Sequence, residues 1–161
     1  MVWGTGATSG QPSPALQQYH HQQNNMHTTN YIDTFIEVAT DTKVVQGSAP
    51  PLKDKKSAAR MQYELIARNP YKYTSDDILF RVYAERNNIH EEEEEQGPDR
   101  DQFFSKGQPC LRASALTKTY GFGIHSNSEG KVALYGMETE EYRRFLDNTK
   151  IKKVRAMRSG K

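Results

Sequence analysis

The sequence predicts an α+β fold, a single compact domain with a small, mainly antiparallel sheet and helices packed on one of its faces. Three observations carry that expectation. Period-two alternation rich in β-branched and aromatic residues marks a strand at 29–39, and a glycine-containing hairpin loop joins short strand candidates at 122–126 and 131–135. Capped segments with helical spacing lie between and after them. The chain has 161 residues, 35% hydrophobic and 26% charged, enough for one ordinary core and too few for two.

Residues 1–25 contain no Lys, Arg, Asp or Glu and are dominated by Gly, Ser, Pro, Gln, Asn and His. Such a stretch buries too little apolar area to offset about 1–2 kcal/mol of backbone ordering per residue. It reads as a disordered polar extension ahead of a domain spanning 26–158. His20, His21 and His27 could form a metal-binding tract. No thiol or carboxylate accompanies them, so a solvated tail is the plainer reading.

From Thr29 to Ala39, Ile32, Thr34, Ile36 and Val38 alternate with Tyr31, Asp33, Phe35 and Glu37, a strand pattern. Residues 40–56, with Gly47, Pro50, Pro51 and four charges at 53–56, read as a loop. Ser57 can cap a helix carrying Ala58, Met61 and Leu65 on one face, stopped by Asn69-Pro70. Tyr71-Lys72-Tyr73 is a short aromatic connector. The next segment fits two templates: Ile78, Leu79, Val82 and Tyr83 make a helical stripe, and Ile78, Phe80, Val82 and Ala84 a strand face. Thr74-Ser75-Asp76-Asp77 decides for helix, because its carboxylates complement the positive end of the helix dipole. Glu91–Glu95 sits within an acidic, solvated loop over 88–101. Ser114 can cap one helical turn ending at Gly121. Phe122–Ser126 and Lys131–Tyr135 are strands joined by Asn127-Ser128-Glu129-Gly130. Thr139 can cap a helix with Tyr142, Phe145 and Leu146 inward.

Several functions are excluded or disfavoured. No apolar run exceeds the four residues Val132–Tyr135, so no membrane-spanning helix is expected. The N-terminus lacks the basic and apolar regions of a secretory signal. The one cysteine, Cys110, rules out an internal disulfide and suits a reducing, cytoplasmic setting. A net charge of +2 argues against strong global attraction to nucleic acid or an anionic membrane.

The run Met26-His-Thr-Thr-Asn-Tyr-Ile-Asp-Thr-Phe-Ile-Glu-Val-Ala resembles the opening of a family of small bacterial and fungal proteins of unknown function. Asn69–Asp77, Phe103–Ser114 and Thr117–Gly136, with its Tyr-Gly-Phe-Gly-Ile-His core, resemble it as well. Together they span about residues 26–158. Members of that family often carry Pro in place of Ala115 and Trp in place of Phe122. They begin near Met26, so the resemblance implies that residues 1–25 are an extension. It implies no activity.

The chemistry-bearing residues concentrate in one stretch. His125 follows Gly121-Phe122-Gly123, where absent side chains would let a ligand approach the backbone. It could act as general acid, base or metal ligand, although no ligand spacing connects it to His27 or Cys110, or be an ordinary strand histidine bonded to a neighbour. Lys106, Arg112, Lys118 and Tyr120 surround the same glycines. Together with Gly121 and Gly123 they could hold a small anion, although neither a phosphate-loop nor a dinucleotide pattern is present. Cys110 could be a nucleophile paired with His125, or a buried structural thiol. Asp33 and Glu37 share a strand face, but four residues of strand separate them by roughly 13 Å, so ion pairs with bases are the simpler reading. The final segment Lys150–Lys161 has six positive charges and no acid, yet no aromatic for stacking on bases. Its Ile151, Val154 and Met157 suit an element docked on the core. The expectation is a binding module for a small anionic ligand, needing no metal or cofactor. A small enzyme using His125 is the alternative, and a nucleic-acid or protein adaptor working through the basic tail a weaker one.

Overall fold

Among the described residues, four short strands form one sheet in the order β3-β2-β1-β4. They are β1 (Thr34–Glu37), β2 (Phe122–Ser126), β3 (Val132–Gly136) and β4 (Lys152–Arg155). The computed structural model describes residues 26–89 and 97–159. Strand β2 runs antiparallel to both β1 and β3, whereas β4 lies parallel to β1. The result is the mainly antiparallel α+β sheet that the alternation predicts.

Register assigns the two faces. Ile36 pairs with Ile124 and Val154, and Ile124 with Leu134, so these four share one side. Against them pack Ile66 of α1 (Ala58–Ala67), Ile78 of α2 (Ser75–Arg86), Leu116 of α4 (Ala115–Lys118) and Leu111 of the 3-10 turn Leu111–Ala113. Phe35 lies opposite His125 on the other side. There Tyr142 and Phe145 of α5 (Glu140–Asp147) cover it, Phe35 stacking on Phe145 with ring centroids 4.8 Å apart. Helices α1, α2 and α4 thus occupy the expected face, and α5 covers part of the opposite one. That is why Phe35, assigned by alternation to the second face of β1, is fully buried.

The caps follow the sequence. Ser57 Oγ accepts from Arg60 N, Thr139 Oγ1 from Tyr142 N, and Thr74 with Asp77 forms a reciprocal capping box. Helix α2 fits both templates because it is buried on two sides. Ile78 enters the main core, while Phe80 and Ala84 join Phe104 of α3 (Pro98–Phe104) in a separate cluster.

Three boundaries differ from the sequence reading. Strand β1 begins only at Thr34, because the preceding residues bind α2 instead. Thr28 Oγ1, Thr29 N and Thr29 Oγ1 each donate to the Asp76 carboxylate at 2.7 Å, and Asn30 Oδ1 accepts from Asp76 N at 2.9 Å. The acidic loop expected over 88–101 is cut short by α3, where Gly97 adopts φ +127° and Pro98 enters the first turn, a position that spares its missing N–H. Leu146, expected inward, is 36% exposed. The Glu91–Glu95 block and residues 1–25 lie outside the described residues.

Candidate functional site

One group of polar side chains converges around His125. On the α5 side of the sheet, His125 Nδ1 lies 2.8 Å from the Tyr71 hydroxyl, which lies 2.7 Å from the Tyr135 hydroxyl. The imidazole stacks on Phe145 at a centroid distance of 4.4 Å and an angle of 27°. Tyr135 reaches this face because it pairs with Gly123, one alternation away from His125. Tyr71 arrives from the α1–α2 connection, where its N–H donates to Val132 O at the edge of β3. It holds φ +59°, a left-handed conformation that is strained for an aromatic residue. Asp33, whose carboxylate acts on the imidazole electrostatically, also has positive φ, at +47°. Two of the three non-glycine residues with positive φ among those described therefore act on His125.

Burial dominates the electrostatics. It lowers the His125 pKa below the ordinary imidazole value, partly offset by Asp33, and favours the neutral ring. Burial, reinforced by Tyr135, raises the Tyr71 hydroxyl far above the usual phenol range. The Tyr71 phenol therefore stays protonated at neutral pH. We assign Tyr135 as donor to Tyr71 and Tyr71 as donor to Nδ1, because a neutral imidazole nitrogen is the better acceptor. Nε2 then carries the ring proton and, among the described residues, has no partner.

The cations expected beside His125 lie elsewhere. Leu111 and Leu116, from the turns that carry Arg112 and Lys118, pack on the opposite side of the sheet. Arg112 Nε donates to Arg155 O, fastening the end of β4. Lys106 is exposed beyond the end of α3, and Tyr120 contributes its carbonyl to Ser48 N. The two glycines serve packing rather than ligand access. A Cβ on Gly123 would lie 2.4 Å from Phe35 Cζ and 2.6 Å from Tyr142 Cε2. Gly121, at φ +80°, has Gln46 O where a Cβ would stand, 2.4 Å away. The chain's own rings and loop fill the space reserved for an anion.

The other candidates resolve simply. Cys110 is half-buried with Sγ 3.6 Å from the Tyr31 hydroxyl, on the helical side, so it forms no pair with His125. Glu37 faces Arg155 across β1–β4, with carboxylate and guanidinium 3.6 Å apart. The basic tail docks as β4, its Val154 packed against the core. Among the described residues no cluster of three or more His, Cys, Asp or Glu could hold a metal ion, and no helix is long and apolar enough to cross a membrane.

Sequence reasoning missed Tyr71 and Tyr135. The hairpin loop 127–130 fixes a register that places Tyr135 beside His125, so that partner was accessible from pattern alone. Tyr71 was not, since its approach depends on a positive φ for which no residue type was placed.

No curated protein and no solved structure matches the chain. Residues 26–161 match the family of unknown function DUF6157. That match takes in every described element, both partners of the Tyr71–His125 contact and the strained turn that joins them, and on it the chain belongs to DUF6157.

Proposed function

We propose that this protein is a binding module for a small ligand that presents an acceptor oxygen to His125 Nε2. One observation carries the reading: the hydrogen-bonded chain Tyr135–Tyr71–His125 holds the ring, and the donor directions assigned above leave Nε2–H as its single oriented donor. Such prior fixing lowers the ordering cost of binding. The expected anionic ligand keeps its acceptor oxygen in this reading but loses Arg112 and Lys118 as counter-charges. The single cysteine fits a cytoplasmic setting for it.

The same geometry favours a second reading, a small enzyme in which His125 exchanges a proton through Nε2 while the tyrosines hold Nδ1. One screen separates the two. Small carboxylates, phosphates and amides are tested for thermal stabilisation of the wild type and of His125→Gln. A binding module loses its stabilising ligands on substitution. An enzyme binds them still and loses only their conversion, by about 10²–10⁴-fold. Ligands that stabilise His125→Gln as well as the wild type, without conversion by either, would refute both.

A further inference from the structure

A second polar recess lies within the helical layer, separate from the His125 face. Gln62 of α1, Leu79 of α2, Phe103, Gln108, Cys110 and Ser114 line a cavity of about 170 Å³. That volume holds roughly five or six water-sized groups.

Its hydrogen-bonding groups are incompletely used. Gln62 is 9% exposed, and its one partner is Ser114 Oγ, 2.5 Å from Oε1. This is a hydroxyl-to-oxygen distance, shorter than an amide N–H donor makes. Ser114 Oγ also accepts from Leu116 N at 3.1 Å, which leaves its own proton for Gln62. The orientation of the amide follows: Oε1 faces Ser114, and Nε2 has no partner among the described residues. The Gln62 amide N–H is not sealed in the core but opens to the recess, where a bound molecule can supply its acceptor. Gln108 is the complement. Its Nε2 donates to Phe103 O at 2.8 Å, and its Oε1 is left without a partner among the described residues. The recess therefore offers one donor, one acceptor and the Cys110 thiol, and no charged side chain among its lining residues.

We propose that this recess is a binding site for a small neutral carboxamide or similar molecule, its carbonyl held by Gln62, its N–H by Gln108 and its carbon chain against Cys110. A carboxylate of the same size is disfavoured, since burying it without a cation costs more than a neutral amide.

Cys110 is the only cysteine of the full chain, so thiol labelling reports on this recess alone. The test compares alkylation of the full-length protein by iodoacetamide and by iodoacetate, followed by intact mass, with glutathione as the reference thiol. In each reaction the sulfur–carbon bond forms, the carbon–iodine bond breaks, iodide leaves and the thiol proton passes to buffer. Iodoacetamide should react with saturating concentration dependence, and propionamide should slow it. Its advantage over iodoacetate should exceed that seen on glutathione by about tenfold, the effect of one hydrogen bond. Gln62→Met and Gln108→Met should each bring the advantage back toward the glutathione value. Should Gln62→Met fail to fold, Gln108→Met carries the test, because Gln108 lies in a half-buried loop outside the main core. A wild-type ratio equal to that of glutathione, or folded variants that keep the wild-type ratio, would overturn the proposal.

Discussion

Replacing Gly123 by Ala tests whether this glycine makes room for the core or for a ligand. The added methyl would stand 2.4 Å from Phe35 Cζ and 2.6 Å from Tyr142 Cε2, each about 1 Å inside ordinary carbon contact. Neither ring can yield freely. Phe35 is fully buried between Tyr142 and Phe145, and the Tyr142 hydroxyl accepts from Val38 N at 3.0 Å. Overpacking of this kind costs about 1–3 kcal/mol. Displacing Tyr142 adds about 1 kcal/mol or more by breaking a buried hydrogen bond. The sum, about 2–4 kcal/mol, should move the urea midpoint down by roughly 1–2 M with the slope unchanged. Circular dichroism of the full-length protein measures it. An unchanged midpoint would mean that the rings do not close on Gly123, and a ligand channel along β2 would again be possible.

Tyr71→Phe removes the hydroxyl between His125 and Tyr135, costs about 1 kcal/mol, and should raise the His125 pKa by removing a donor to the neutral ring; nitrogen-15 NMR of the imidazole reads both tautomer and titration. Because the folded-state pKa of His125 is depressed, its neutral form stabilises the fold fully above pH ~6.5. That contribution falls as pH drops through 6.5 toward the folded-state value, so the stability gap between wild type and His125→Gln should narrow on the acid side. Hydrogen bonds from Lys56 and then Arg60 hold the Glu64 carboxyl at about 2. Glu64→Gln should cost about 1–2 kcal/mol at neutral pH, a difference constant above pH ~4.3 and lost as pH falls toward 2. Removing residues 1–25 should shift the melting temperature by no more than about 2 °C. Removing residues 1–30 also strips Thr28, Thr29 and Asn30 from Asp76 and should cost about 3 kcal/mol or more.

The sheet, the caps and the helix choice at residue 75 were legible because each rests on local chemistry. Thr74 with Asp77, Thr139 before two glutamates, and the hairpin loop 127–130 between β2 and β3 need no knowledge of the rest of the chain. The site was less legible because it depends on which face is covered. Gly121, Gly123 and His125 are neighbours in sequence, but Gly121 receives the Gln46 carbonyl and Gly123 the Phe35 and Tyr142 rings. Lys106, Arg112 and Lys118 are near His125 in sequence and are placed apart by the sheet that β2 helps to build. Tyr71 is 54 residues away and completes the site through a strained turn. The first strand was overextended for a related reason: Thr29 and Asn30 suit a strand, yet Asp76, distant in sequence, claims their hydrogen bonds.

The strand order has a consequence for how this chain reaches its native state. The central strand β1 is the first to be synthesised, and both of its neighbours come late, β4 pairing Thr34 with Lys152 more than a hundred residues downstream. No part of the sheet except the β2–β3 hairpin can form from nearby residues. A topology of such long-range closures folds slowly, and until β4 arrives, one edge of the strand Thr34–Glu37, which carries Phe35 and Ile36, stays open to other chains. Loss of the last dozen residues would thus do more than trim a basic tail. It would leave the middle of the sheet as an edge, and self-association is the failure to be expected.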